Sequence, residues 1–276
     1  IGAEAKKKRG VLSLRCPISH CVVTDSADME ALWTQVFFNE LRVDPKTRPV
    51  LLTEPALNPR ANRERAAEVM FERFGVPGLS VMSQARLSLS AAGLSTGIVL
   101  DAGDGVCHTV PIFKGEVMKH AINRLELGGH DLTTYLIKLL TEDGIFLSST
   151  SSERDLANTI KEQIGYVAMD YADEMSKPIP SVQESFRMPD AQFVRLGRSR
   201  FMCSEPLFEP RMLGKDAPGV VGMVMDTLGE VEDATRAEVG ANILLAGGST
   251  MFKGFTERMN HDLVAQLGVG TFNVVS

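Results

Sequence analysis

Thr96-Gly97-Ile98-Val99-Leu100-Asp101-Ala102-Gly103-Asp104-Gly105-Val106-Cys107-His108-Thr109-Val110-Pro111-Ile112-Phe113 is the stretch whose reading decides the fold. Gly97 to Leu100 is an uninterrupted apolar run, as expected of a strand covered on both faces, and it ends on the carboxylate of Asp101. Gly103 and Gly105 turn the chain, and His108 to Phe113 reads as the outgoing strand. Successive N–H groups from Gly103 to Val106 can face one concavity, a nest suited to phosphate oxygens. Glycine there avoids a Cβ that would block the turn and the close approach of a ligand. Asp101 could then hold a hydrated Mg²⁺ beside the phosphates. The same pattern also serves as a plain hairpin turn with no ligand, and the residues of this stretch leave both readings open.

A second glycine site, Gly247-Gly248-Ser249-Thr250-Met251, follows a predicted strand over Asn242 to Ala246 and precedes a predicted helix from about Gly254 to Leu267. It can cradle a nucleotide with its backbone, or act as an ordinary strand-to-helix turn. Between the two sites, helix and strand patterns alternate. Met29, Leu32, Trp33, Val36 and Phe37 recur at helical spacing within a helix expected over Ser26 to Leu41. Val50-Leu51-Leu52 reads as a buried strand. Asn58 is the expected cap and Pro59 the first residue of a helix that Gly75 and Pro77 end. Thr150 and Glu153 have capping-box spacing, opening a helix expected to stack Leu156, Ile160, Ile164, Val167 and Tyr171. Ser185 to Cys203 reads as short antiparallel strands turned at Pro189-Asp190 and Gly197-Arg198. Thr271 to Ser276 reads as an apolar strand. The alternation predicts α/β layers.

Composition narrows the function classes. The chain has 276 residues, 29 basic and 35 acidic, for a net charge of −6; 44 % of residues are hydrophobic and 23 % charged. This is an ordinary globular composition at a length for one large domain or two modest ones. It is a poor general nucleic-acid binder. No apolar run is long enough to span a bilayer, and the start carries no signal-peptide core. Lys6-Lys7-Lys8-Arg9, the one dense basic run, is either a patch for localisation or an anionic partner, or a solvated turn. Cys16, Cys21, Cys107 and Cys203 have no zinc spacing and fit free thiols in a reducing compartment. Ile1 at the start and the strand-like end read as cut termini.

Several runs, in order, resemble the actin family: Asn39 to Val43, Pro49 to Glu54, Asn58 to Glu64, Thr96 to Asp101 with its glycine turn, Lys161-Glu162, and Gly247 to Met251. The resemblance runs through essentially the whole chain and implies a two-lobed, actin-like α/β ATPase fold with RNase H-like domains, incomplete at both termini. It divides the chain into part of a first lobe over 1–91, with a small outer subdomain 1–16 and an inner subdomain 17–91. The second lobe has its inner subdomain over 92–127 and 217–276 and its outer one over 128–216. It implies ATP or ADP with Mg²⁺ or Ca²⁺ as cofactors. Gln84, Asp101 and His108 become the catalytic candidates, with Gln84 positioning water and His108 as its partner. Asp101 is the metal residue, acting through water. Gly103, Asp104, Gly105 and Val106 form a phosphate loop. Lys161 and Glu162 meet adenine and ribose, and Gly129, Gly247, Gly248, Ser249 and Met251 complete the wall. Taken without the resemblance, Gln84 reads as a surface residue at a helix start and His108 as a satisfied strand histidine.

The sequence also departs from that family. Its first phosphate loop would lie before Ile1 and its last adenine contact beyond Ser276. Asn158 and His130 stand where the family usually has arginine. Ser19 replaces an acidic residue beside His20, the position that actins often methylate. Lys215 puts a charge in Met212-Leu213-Gly214-Lys215, matching an apolar loop that joins filament subunits, where burying it unpaired is costly. Two readings follow. One is a slow ATPase that assembles with other actin-like subunits, actin-binding proteins or a motor complex in the cytoplasm and cytoskeleton, with axonemal or nuclear assemblies as variants. The other is a divergent structural subunit of a dynein, dynactin or chromatin complex with little polymerisation or hydrolysis. Neither reading implies nucleic acid or membrane as a direct partner.

Overall fold

A computed structural model describes residues 2, 5, 15–147, 150–268 and 270–276. The basic run Lys6 to Arg9 lies outside the described residues, as does most of the expected 1–16 subdomain. The chain divides into two compact units, Ile1–Ala92 and Gly93–Ser276.

The first unit carries β1 (Ile18–Ser19), β2 (Val22–Val23), α1 (Ser26–Gln35), β3 (Val50–Glu54), α2 (Arg60–Glu68), β4 (Leu79–Ser83) and α3 (Gln84–Ala91). β1 and β2 form a short antiparallel pair, and β3 lies parallel to β4 with Val50 opposite Leu79. The winding predicted through Leu41 is present but changes pitch: α1 stops at Gln35 and a π-helical turn runs Val36–Glu40. α2 likewise passes into a π turn, Val69–Arg73. These wide turns deliver the core, in which Phe37, Val69, Met70, Phe74 and Val76 cluster and the rings of Phe37 and Phe74 lie 5.0 Å apart. The cap of α2 is Pro59, one residue later than expected, because the Asn58 amide donates to Glu54 Oε2 (3.0 Å) instead.

The second unit holds the stretch that opened the sequence. β5 (Gly97–Ala102) and β6 (Cys107–Phe113) are antiparallel, as read. β7 (Glu116–Val117) and β8 (Asn123–Leu125) pair with the far edge of β6. Next come α4 (Gly129–Glu142), α5 (Ser151–Ile164), α6 (Tyr171–Ser176), α7 (Ile179–Val182), β9 (Glu184–Arg187), β10 (Phe193–Leu196) and α8 (Ser199–Met202). The unit ends with α9 (Val220–Glu230), α10 (Asp233–Gly240), β11 (Asn242–Ala246), α11 (Phe255–Leu267) and β12 (Asn273–Val275). β11 lies parallel to both β5 and β12, giving the order β12-β11-β5-β6-β7.

Ile98, Val99, Leu100 and Ala102 are all buried, so both faces of β5 are covered. One apolar cluster joins Ile98, Leu100 and Ile243 of the sheet to Val220 and Val224 of α9 and Phe255 and Met259 of α11. A second joins Leu136 and Leu140 of α4 to Ile160 and Ile164 of α5 and Phe186 of β9.

Two expectations fail here. Val167 and Tyr171 do not continue α5, because the chain leaves the helix at Gly165 in an extended conformation. Val167 then joins the sheet cluster, and Tyr171 packs edge-on against Phe201. Ser185 to Cys203 holds only one hairpin, and the Gly197-Arg198 turn leads into α8 rather than a third strand. None of the four cysteines forms a disulfide with another described residue. No described helix is long and apolar enough to cross a membrane.

Candidate functional site

The site in the second unit begins at the ends of β5 and β11. Asp101 pairs with His108 across the β5–β6 ladder and with Ala246 on β11. Residues directly opposite in an antiparallel pair share a face, so Asp101 and His108 stand side by side. Burial pushes the Asp101 carboxyl above its ordinary range. His108 is 3 % exposed and its Nε2 has no hydrogen-bond partner. Burial first, and then the nearby Arg124 cation, lower its pKa to about 4, with Glu126 opposing. The ring is therefore neutral at pH 7, and its orphaned nitrogen is a site for one more hydrogen bond.

The turn between the strands is used differently from the sequence reading. Gly103 N–H donates to Val106 O (3.0 Å) and closes the hairpin, so it does not belong to a nest. The carbonyls of Gly103 and Asp104 accept from the N–H groups of Gly129 (3.0 Å) and His130 (2.8 Å) at the start of α4. In a trans peptide the N–H points opposite to the C=O. The N–H groups of Asp104 and Gly105 thus point away from α4, and no described carbonyl accepts from them or from Val106 N–H. The nest reduces to Asp104, Gly105 and Val106.

The glycine requirement also moves. Neither Gly103 nor Gly105 has positive φ, and a Cβ on Gly103 would meet Val106 O at an ordinary 3.5 Å. The demanding positions are Gly128 and Gly247. A Cβ on Gly128 would fall 2.3 Å from Asp104 O, where α4 is pressed against the turn. Gly247 has φ 87°, and its Cβ would fall 2.4 Å from Ala102 O and 2.6 Å from Asp101 Oδ1. A side chain at either place would push the turn out of position.

Beside this seam lies a cavity of about 370 Å³ lined by Asp104, Gly129, Lys161, Glu162, Gly248, Ser249, Met251 and Phe252. Three polar groups converge on Gly129: a Cβ there would lie 3.1 Å from Asp104 Oδ1, 3.2 Å from Lys161 Nζ and 3.3 Å from Ser249 Oγ. Ser249 Oγ donates to Gly103 O (3.1 Å), tying the second glycine site to the first turn. Lys161 is 5 % exposed. Its Nζ donates to Gly129 O (2.7 Å) and Thr133 Oγ1 (2.8 Å). Burial lowers its pKa, while the charge of Asp104 works against that shift. Met251 is 82 % exposed at the rim.

Seven expected binding residues therefore line one cavity, although they come from four separate parts of the chain. Gly105, Val106 and Gly247 sit at the adjoining turns. Gln84 belongs to the first unit, where it is exposed at the start of α3 and its amide reaches Thr53 Oγ1 at 3.5 Å. Phe252, Gly128 and Thr133 escaped the sequence reading. Phe252 and Gly128 adjoin residues that it named, but nothing in the sequence marks Thr133.

A divalent cation suits this donor set only through water. Among the described residues no three carboxylate, histidine or thiol groups gather to cage a metal. Asp101 offers a single carboxylate at a strand end, which suits an ion that keeps most of its water shell, as Mg²⁺ does. Both glycine turns, the seam with α4 and the cavity wall lie within residues 1–274, the span matched by a model of the Actin family, and the chain belongs to that family.

Proposed function

We propose that the chain is an actin-like subunit that binds ATP or ADP with Mg²⁺ (or Ca²⁺) at this site, as part of a two-lobed ATPase fold. The observation that carries the reading is the convergence of Asp104, Lys161, Glu162 and Ser249 around Gly129 in a cavity beside the β5–β6 turn. Actin-family proteins generally bind a nucleotide and a divalent cation. In this reading, residues 92–127 with 217–276 form the inner part of the second lobe and 128–216 its outer part.

The roles divide by chemistry. The N–H groups of Asp104, Gly105 and Val106 hold phosphate oxygens, and Gly103 shapes their turn. Asp101 holds the hydrated cation, which neutralises phosphate charge when bound. Phosphoryl transfer needs positioning more than covalent chemistry. Gln84 orients the attacking water, an assignment resting on the family resemblance alone. His108, neutral and with Nε2 unpaired, is placed to accept one hydrogen bond within its own unit. Lys161 and Glu162 face the adenine and ribose, with Gly129 and Gly247 to Met251 as the wall. The subunit then assembles with actin-like or actin-binding partners in the cytoplasm and cytoskeleton.

Lys215 bears on the second reading, a structural subunit with little self-polymerisation, less than its sequence suggests. Its ammonium donates to Glu126 O within its own unit, so the residue is partnered rather than stranded and sits among Met212 and Leu213 beside α4.

Calorimetric titration with ATP tests nucleotide binding. Asp101→Asn should weaken ATP binding about tenfold with Mg²⁺ present, the worth of one charge-assisted contact, and leave Mg²⁺-free binding unchanged. Failure of the unaltered chain to bind ATP at millimolar concentration would refute the proposal.

A further inference from the structure

Lys161 and Glu162 are consecutive on α5, so their side chains leave the helix roughly 100° apart. Two neutral groups connect them. Lys161 Nζ lies 2.8 Å from Thr133 Oγ1, Thr133 Oγ1 lies 3.1 Å from Asn158 Oδ1, and Asn158 Nδ2 lies 2.7 Å from Glu162 Oε1.

The direction of this chain follows from its ends. A carboxylate only accepts, so the Asn158 face toward Glu162 is its NH₂ and the face toward Thr133 is its carbonyl. An ammonium only donates, so Thr133 Oγ1 accepts from Lys161. Its single proton then goes either to Asn158 Oδ1 or to Gly129 O at 2.9 Å. Gly129 O already accepts from Lys161 at 2.7 Å. The arrangement that satisfies most groups runs Lys161 to Thr133 to Asn158 to Glu162, from cation to anion, every donor facing an acceptor. Chains polarised in one direction strengthen each bond.

We propose that Asn158 and Thr133 are positioning residues that lock Glu162 for the hydroxyls of a ribose, so that the site selects ribonucleotides over deoxyribonucleotides. This rests on the nucleotide reading above. Asn158 fixes one oxygen of an otherwise exposed carboxylate and leaves Oε2 as the acceptor. An arginine in its place would partly neutralise Glu162, whereas the amide orients it and keeps its full negative charge. Asn158 also belongs to none of the apolar clusters described in the unit, so its side chain can be changed without opening the core.

The full chain is titrated with Mg-ATP, 2′-deoxy-ATP and 3′-deoxy-ATP by calorimetry, with thermal melting as a control on folding. The unaltered chain should prefer ATP by about tenfold over at least one deoxy analogue, the scale of a hydrogen bond to a charged group. Asn158→Ala should weaken ATP about tenfold, leave the deoxy analogue nearly unchanged, and so erase the preference. Asn158→Asp should do the same or worse, since it sets a second carboxylate against Glu162. Thr133→Val should lower the preference, and Thr133→Ser, which keeps the hydroxyl, should restore it. A preference unchanged in Asn158→Ala overturns this inference and leaves nucleotide binding standing. Equal weakening of all three nucleotides also overturns it, because Asn158 then serves the fold alone. Absence of ATP binding by the unaltered chain overturns both readings.

Discussion

His108 and Glu205 are buried ionisable side chains whose titrations pull stability in opposite directions. The His108 pKa falls from 6.5 in an exposed chain to about 4 in the fold, chiefly through burial. Between those values the unfolded chain binds the extra proton, so His108 makes stability rise with pH from about 4 to 6.5, by roughly 3 kcal/mol in all. Glu205 is raised from 4.5 to about 7, first by burial, with the Arg258 guanidinium at 3.5 Å opposing. Its contribution is fully present below pH 4.5 and is lost as pH rises through 7. The parent chain should therefore show a shallow profile between pH 4.5 and 6.5 in denaturant unfolding. His108→Gln should expose the Glu205 slope, losing stability from pH 4.5 to 7; a profile identical to the parent would contradict the neutral, buried imidazole. The glycines separate just as sharply. Gly128→Ala should cost about 1–3 kcal/mol or more, because its Cβ meets backbone. Gly248→Ala, with open space around its Cβ, should stay within about 0.5 kcal/mol in the same urea melts.

Elements were legible where a pattern is local. β5 and β11 are continuous apolar runs because both faces of the sheet are covered, and such a run needs no knowledge of its neighbours. Ends were harder. The apolar spacing that suggested Val167 and Tyr171 as part of α5 comes from residues that pack on different clusters after Gly165 releases the chain. α1 and α2 keep helical winding but widen to π turns, a change of pitch that spacing over a few residues does not register. One cap that the sequence analysis does not name is Asp170, whose Oδ1 accepts from Asp173 N–H (2.8 Å) at the start of α6. Asp170→Ala should lower stability by about 1 kcal/mol and release α6 first, seen as faster amide exchange over Tyr171 to Ser176. Unchanged exchange there would show that tertiary contacts, not the cap, hold α6.

For the whole molecule, assembly is the property that distinguishes the two functional readings. Sedimentation of the chain with Mg-ATP should give little pelletable polymer, and Gln84→Ala should slow phosphate release while ATP binding stays within about twofold. Robust unassisted filaments would discard the structural-subunit reading, and equal loss of binding in Gln84→Ala would make that residue structural. Much of the site was legible before any fold: the carboxylate at a strand end, the two glycine turns and the Lys161-Glu162 pair are short motifs in a set order. The sequence alone thereby determined the family and the α/β alternation, and its resemblance named seven of the eight residues that line the cavity, Phe252 being the exception. Only the tertiary structure decided that Gly103 N–H is spent on the hairpin, that Gly128 and Gly247 are the glycines a Cβ would break, that Lys161 is buried, and that Thr133 and Asn158 link it to Glu162. The physical reason is that periodicity and turn chemistry act over a few neighbouring residues, whereas donor partners, close approach and exclusion of water depend on segments far apart in the chain being packed together.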